Sequence, residues 1–248
     1  MRRILLGRLR RWVVHHRRFA AAVAGVVLVL VGANLLRHYG PAGTGLVLGP
    51  TVAVGLVILA RRLGLSWEDL GLARRTWGKG ALYAAVTVAV VVAGYAAGAA
   101  LPLTRSAFLD ARYHLSVGPA LLSALVIIPM GTVLMEEIAF RGVLLGLVTR
   151  HRGVRWGLGL SSGLFGAWHV LPSLGLNGAN QAVGQVVGSG TGAKVGVVMA
   201  VVVFTSAAGL VLGELRRRSG SLLAAAGLHW ATNGIGVLFA AVVYAAVA

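Results

Sequence analysis

Two adjacent glutamates, Glu136 and Glu137, lie in an apolar stretch long enough to cross a bilayer, and they are two of only six acidic residues. An ionisable group at membrane depth costs about 2.5–3.5 kcal/mol on insertion scales, so such a group indicates a functional site. On a helix, Glu137 pairs with Arg141 at i,i+4, whereas Glu136 points about 100° away. The spacing predicts one neutralised carboxylate and one, Glu136, that is free for acid–base chemistry.

Two of the seven histidines, His169 and His229, lie inside apolar runs, and the others fall in charged or connecting segments. Phe165 precedes His169 by one helical turn and Asn233 follows His229 by one, so each pair shares a helix face. Counted from the flanking arginines, Glu136 and His169 lie about 21 Å deep and His229 about 16 Å. The similar depths predict one polar pocket, although such side chains also serve as plain helix–helix contacts.

Composition indicates an integral membrane protein. The 248 residues are 58% hydrophobic, with a mean hydropathy of +0.85 and 36 glycines, which suits membrane helices better than a soluble domain. The net charge of +17 comes from arginine clusters between apolar runs, without a groove-reading helix or aromatic platform, so nucleic acid is not an expected partner. The absence of cysteine excludes disulfides, thiolate catalysis and cysteine-ligated metals.

Seven apolar runs are candidate transmembrane helices, since most reach the ~20 residues needed to cross ~30 Å of hydrocarbon. They cover residues 19–36, 43–60, 81–101, 118–147, 157–171, 192–213 and 221–247. The fifth run is short, and the last can divide at Gly234 or Gly236. The predicted fold is an all-α, polytopic transmembrane helical bundle of about seven to eight spans, with an uncleaved first span. Pro129 and Gly131 should loosen the helix ahead of the glutamates.

The basic residues follow the alternation of these spans. Four of the 23 lysines and arginines fall in the predicted outer connections, and the other 19 fall in the inner ones. The outer four are Arg37, Arg105, Arg112 and Lys194. The positive-inside rule therefore predicts a cytoplasmic N-terminus and, with seven spans, an external C-terminus. The preference for arginine over lysine hints at a bacterial plasma-membrane protein.

Three ordered motifs resemble those of the CPBP family, the CAAX-protease-and-bacteriocin-processing or ABI-domain membrane proteins. The motifs are Glu136-Glu137-x-x-x-Arg141, Phe165-x-x-x-His169 and His229-x-x-x-Asn233. The resemblance covers roughly residues 115–240. It implies a CPBP-like catalytic core over 115–248, preceded in 1–114 by a basic segment and three accessory helices.

The resemblance implies an intramembrane endopeptidase that acts on a membrane-associated protein or peptide. By position, Glu136 and His169 activate the water, and His229 and Asn233 bind the oxyanion or hold a metal. Glu137, Arg141 and Phe165 then have supporting roles. Two histidines and a glutamate are also a known catalytic zinc ligand set, so a divalent metal and a metal-free mechanism both stay open. Some family members cleave prenylated CAAX proteins, an activity that is not carried over to a bacterial chain.

Two other functions fit the same residues. Membrane glutamates and histidines form proton relays, as in a proton-coupled transporter, although inverted repeats are not evident. A non-catalytic CPBP-like protein, for example one that binds a partner in bacteriocin immunity, would also keep these motifs. The sequence does not identify the substrate or the oligomeric state.

Overall fold

Long helices build the fold. The computed structural model describes residues 2–188 and 190–247; the side chains of 2–17, which carry most arginines of the predicted N-terminal basic segment, lie outside the described set. The helices, numbered α1 to α7, are Arg2–Tyr39, Thr44–Arg62, Trp77–Ala100, Val117–Arg152, Val154–Trp168, Thr191–Ser219 and Leu222–Val247. No strand occurs among the described residues beyond one isolated bridge, so the all-α class is confirmed.

Short helices occupy the connections. The α-helical ones are Pro102–Arg105, Val170–Ser173, Leu176–Ala179 and Gln181–Val187. The 3₁₀ turns are Arg74–Thr76, Ser106–Phe108 and Ala111–Tyr113. Because 3₁₀ geometry is used in short pieces, these turns suit tight links between long helices.

Six helices in the described part of the chain are long and apolar enough to cross a membrane. The prediction of seven to eight spans is wrong by this criterion, because α5 has only 15 residues. At 1.5 Å per residue it rises about 23 Å, which is short of the ~30 Å hydrocarbon core. The apolar run continues beyond it to residue 171, but the helix turns at His169. A polytopic helical bundle is nevertheless confirmed.

One end of the bundle, here the basic end, consists of the connections 63–76, 153 and 220–221. These segments are tied together across the bundle: Lys79 Nζ donates to the Arg218 carbonyl at 2.7 Å, and the Leu222 amide donates to the Gly71 carbonyl at 2.8 Å. The guanidinium of Arg150 also donates to the Gly64 carbonyl. Arginine side chains thus satisfy carbonyl groups that helix ends and turns leave free.

The opposite end, here the loop end, consists of the connections 40–43, 101–116 and 169–188. Asp110 and Asn180 form an antiparallel bridge. The Asn180 side chain donates to the Ala107 carbonyl at 3.0 Å, and the Gln181 amide donates to the Leu109 carbonyl at 3.0 Å. The two long connections of this end are therefore joined to one another.

The central helix, α4, is not regularly α-helical. Its α-helical pieces, Val117–Leu122, Leu134–Glu136 and Leu145–Arg152, alternate with π-helical Ser123–Ile127, Pro129–Val133 and Glu137–Leu144. In α7, a π segment, Ala231–Ile235, separates Leu222–Trp230 from Gly236–Val247. Pro129 has no N–H to donate, and the helix departs from α geometry there, as expected from Pro129 and Gly131. Such π segments are frequent at functional sites.

Packing surrounds the second half of α4 on all sides. Met135, Ala139, Val143 and Leu144 are completely buried. In a bilayer, lipid is as apolar as these side chains, so helix association depends on close packing, which small residues permit. One such approach brings α3 against α7 at Gly227.

A methyl group at Gly227 is expected to destabilise the fold. An added Cβ would lie 2.9 Å from the Cα of Ala84 on α3, a backbone atom that moves only with its helix. Overpacking of this kind costs about 1–3 kcal/mol, so Gly227→Ala should lower the thermal unfolding temperature in detergent. Gly94→Ala on α3 is the matched control, because nothing lies within 4 Å of its added Cβ. Equal unfolding temperatures for the two variants would contradict this packing.

Candidate active site

Helix α4 directs both predicted glutamates into the bundle. Glu136 and Glu137 are each only 2% exposed. Glu136 is the last residue of an α-helical piece and Glu137 the first residue of a π-helical one. Because adjacent residues on a helix point about 100° apart, the two carboxylates leave the helix in different directions and meet different partners.

Glu137 lies in a buried network with Arg141 and His229. Its Oε1 is 3.1 Å from Arg141 Nη1 and 2.7 Å from His229 Nδ1. Arg141 is 1% exposed, and its guanidinium carbon lies 3.8 Å from the centre of the Phe165 ring. A cation over an aromatic face is stabilised by the ring quadrupole, most strongly when both are desolvated. The Glu137–Arg141 pair expected from the i,i+4 spacing is thus present, and His229 joins it.

Glu136 has two oxygens in unequal surroundings. Oε1 accepts a hydrogen bond from Trp168 Nε1 at 2.9 Å and lies 3.7 Å from Arg37 Nη1. Oε2 is buried, lies 3.7 Å from His229 Nε2, and has no hydrogen-bond partner among the described residues. One oxygen is therefore anchored, while the other is free to accept a proton.

The partner of Nδ1 determines how His229 faces Glu136. An ionised carboxylate only accepts hydrogen bonds, so the contact with Glu137 places a proton on Nδ1. In the neutral ring, Nε2 then carries a lone pair, and it lies 3.7 Å from another acceptor, Glu136 Oε2. This separation is too long for a direct hydrogen bond, and a water between the two atoms would donate to both.

His169 lies at the turn that ends α5 and is half-buried. Its Nδ1 is 2.7 Å from the carbonyl oxygen of Phe165, so Nδ1 donates and Nε2 is left as an acceptor. The Phe165 ring stands edge-on to the His169 ring at 4.6 Å and to the His229 ring at 5.7 Å. Phe165 therefore contacts both predicted imidazoles.

A cavity of about 680 Å³ adjoins these groups. Glu136, His169 and Asn233 line it, whereas His229 lies behind Glu136 and outside the lining. The other polar side chains that line it are Asn34, Arg37, His38, Tyr95, Asp110, Tyr113, Thr132, Asn180 and Thr232. The volume is in the range of ligand sites, which usually combine an apolar lining with a few placed polar groups.

Two of the closest partners of Glu136 were not among the predicted site residues. Arg37, assigned by its charge to an outer connection, lies on α1 and donates through Nη2 to Thr132 Oγ1 at 2.8 Å. Trp168, next to His169, is held at its backbone by Asn34 Nδ2, which donates to the Trp168 carbonyl at 2.8 Å. The sequence did contain a signal for Arg37: Asn34 and Arg37 are three residues apart near the end of an apolar run, so the two polar side chains are neighbours on one helix face.

The arrangement does not form a ready metal site. The described residues contain no group of three His, Asp or Glu side chains that could hold an ion. The candidate set Glu136, His169, His229 and Asn233 thus supplies too few convergent donors in this conformation for the three protein ligands of catalytic zinc.

Loss of the Arg141 charge is expected to destabilise the folded protein. In Arg141→Met, Glu137 would keep a buried charge without its cation, and breaking a buried ion pair costs about 3–5 kcal/mol. The double variant Glu137→Gln/Arg141→Met removes both charges and should recover part of that loss. Thermal unfolding in detergent measures both. An unfolding temperature that is unchanged in Arg141→Met would contradict a buried, charged pair.

Residues 118–235 match the family model described as Type II CAAX prenyl endopeptidase Rce1-like. No curated protein and no solved structure matches the chain. The matched segment contains all seven predicted site residues, whereas α1 to α3, including Arg37, lie outside it. The match confirms the resemblance to the CPBP (ABI-domain) family that the motifs predict: over residues 118–235, this integral membrane protein is similar to the Rce1-like endopeptidases.

Proposed function

We propose that the protein hydrolyses a peptide bond of a membrane-associated protein or peptide and that Glu136 activates the attacking water. The family implies CAAX-type intramembrane proteolysis as the general activity. The finer proposal is supported by the unequal oxygens of Glu136, of which Oε1 is bound by Trp168 and Oε2 has no partner in the described chain. A carboxylate oriented through one oxygen can present the other to a water as general base.

In the proposed reaction, Oε2 takes a proton from water as the water oxygen attacks the carbonyl carbon. Glu136 then passes that proton to the leaving nitrogen as the C–N bond breaks, which yields a carboxyl and an amino terminus and restores the carboxylate. His169 assists through Nε2, which stays an acceptor because Nδ1 donates to the Phe165 carbonyl.

The tetrahedral oxyanion is proposed to be stabilised by Asn233, which lines the cavity, and by His229, which lies outside the lining but whose Nε2 is 3.7 Å from Glu136 Oε2. When Nε2 of His229 is protonated, the negative charge of Glu137 stabilises the imidazolium through Nδ1, as the aspartate does in a serine-protease triad. The Asn233 amide, which lines the cavity, supplies a second donor. Donors that are already oriented towards the developing oxyanion contribute several kcal/mol to transition-state stabilisation.

We propose a metal-free route and assign no step to a metal. This follows from the donor set, since no three potential ligands among the described residues converge. Activity that persists in the presence of a chelator would agree with this route. Activity that is lost with the chelator and restored by zinc would contradict it.

The proposed orientation places the N-terminus in the cytoplasm and the chain in a bacterial plasma membrane. The basic end then faces the cytoplasm, in accord with the positive-inside rule. Although α5 is short, it begins at the basic end beside Arg150 and reaches Trp168, whose carbonyl contacts Asn34 near the opposite end of α1. Successive connections therefore still alternate between the basic end and the loop end, as the proposed orientation requires.

Glu136→Gln is expected to abolish proteolysis without unfolding the protein. Glutamine keeps the size and the hydrogen bond from Trp168 but cannot accept the proton, and general-base catalysis typically contributes 10²- to 10⁴-fold. New peptide termini in membranes of cells that express the wild type, absent with Glu136→Gln, would be measured by mass spectrometry of terminal peptides.

The matched control is Glu68→Gln, which alters an exposed glutamate at the basic end. It should give the same termini as the wild type. Termini that persist with Glu136→Gln would contradict the mechanism. A wild type that yields no new termini while keeping a biological effect would identify a non-catalytic relative.

Arg37→Met is expected to lower kcat about tenfold, which corresponds to about 1.4 kcal/mol, and to leave KM nearly unchanged. Arg37 lies 3.7 Å from Glu136 Oε1, so its loss leaves that oxygen oriented by Trp168 alone. Arg37→Lys should recover part of the rate because it restores the charge. Kinetics with a peptide identified from the membranes would be compared with Lys194→Met, an exposed cation on a different helix. Equal rates for the two methionine variants would contradict a positioning role.

A further inference from the structure

The cavity is bordered on one side by the loop end of the bundle. Ala107, Phe108, Asp110 and Tyr113 from one connection, and Asn180 from another, line it. These two connections are joined by the Asp110–Asn180 bridge and by the hydrogen bond from Asn180 to the Ala107 carbonyl. The rim is thus a built structure and not a pair of independent loops.

Charge at the rim is paired. Asp110 is buried, and its carboxylate accepts from Arg112 Nε at 2.9 Å and from Nη2 at 2.7 Å. Burial raises the pKa of Asp110, but hydrogen bonds and the charge of Arg112 outweigh this and hold the pKa below its usual value. Two of the four basic residues of this end, Arg37 and Arg112, therefore have acidic partners within the protein.

The opposite side of the cavity is closed. Beyond Glu136, towards the basic end, Glu137, Phe140, Arg141 and Phe165 form a layer in which each residue is buried. Phe140 packs edge-on against Phe165 at 5.2 Å between ring centres. The Arg141 guanidinium carbon lies 3.8 Å from the centre of the Phe165 ring. A polypeptide that enters from the basic end would have to displace the buried ion pair, whereas one that enters from the loop end would not.

Basic side chains crowd the end away from the cavity. Those described there include Arg61, Arg62, Arg74, Arg75, Lys79, Arg150, Arg152, Arg155, Arg216, Arg217 and Arg218. Clusters of this kind remain on the cytoplasmic side of a membrane. The end that carries the cavity rim is then the extracytoplasmic end.

We infer that the cavity opens to the extracytoplasmic side and that the substrate is a polypeptide segment presented at that face of the membrane. That the bound polypeptide is a substrate rests on the proposed function, whereas the side on which the cavity opens does not depend on activity. The inference goes beyond the reaction, because it restricts the substrates to polypeptides that have been exported or that expose a segment outside the cytoplasm. Cytoplasmic proteins are then not substrates.

The natural chain has no cysteine, so single cysteines can report the direction directly. Ala107→Cys places a thiol on the exposed rim, and Gly78→Cys places one near the basic end at a position with nothing within 4 Å of an added Cβ. Spheroplasts of a bacterial expression host would be treated with a membrane-impermeant maleimide. We expect the Ala107→Cys protein to be labelled and the Gly78→Cys protein to be unlabelled, with the pattern reversed in inverted vesicles.

Labelling of Gly78→Cys but not Ala107→Cys in spheroplasts would overturn the inference. Repeating both in the Glu136→Gln background separates it from the proposed function, since labelling does not need catalysis. The Glu136-dependent termini give a second readout. We expect them to map to exported peptides or extracytoplasmic segments, and termini confined to cytoplasmic segments would overturn the inference even if the proteolysis itself is established.

Discussion

The buried contact of Glu137 with Arg141 and His229 is the constraint on which the site depends. Two adjacent carboxylates inside a bilayer repel each other and lose their hydration, and the cost of an unpaired buried charge is several kcal/mol. Arg141 neutralises one of them at 3.1 Å, and the Phe165 ring covers the guanidinium. Glu136 can stay available to a substrate because its neighbour already has its partners.

The geometry of α4 converts adjacent residues into two separate functions. Adjacent side chains on a helix point about 100° apart, so the two carboxylates diverge. One then meets α7 through His229, and the other meets α1 and α5 through Arg37 and Trp168. Helix α1, outside the matched family segment, is thus part of the surroundings of Glu136.

Much of the fold was open to prediction because hydropathy is a local property. The apolar runs located every long helix of the bundle, but they overcounted the spans. Hydropathy continues through His169 to residue 171, whereas the backbone turns at His169 and ends α5 after 15 residues. The charge of Arg37 likewise suggested a surface position, yet its Nη1 is buried beside Glu136, since a long side chain extends far from its own Cα.

The sequence by itself determined the membrane class, the helix carrying the two acids, the i,i+4 pairing of Glu137 with Arg141, and the three motifs that carry the family resemblance. These follow from composition and from spacing along single helices. Only the tertiary structure decided which nitrogen of His229 meets which carboxylate, that Trp168 anchors Glu136, and that the cavity lies at the loop end. Contacts between helices depend on how side chains pack across them, and in lipid no difference in hydrophobicity reveals that packing in advance.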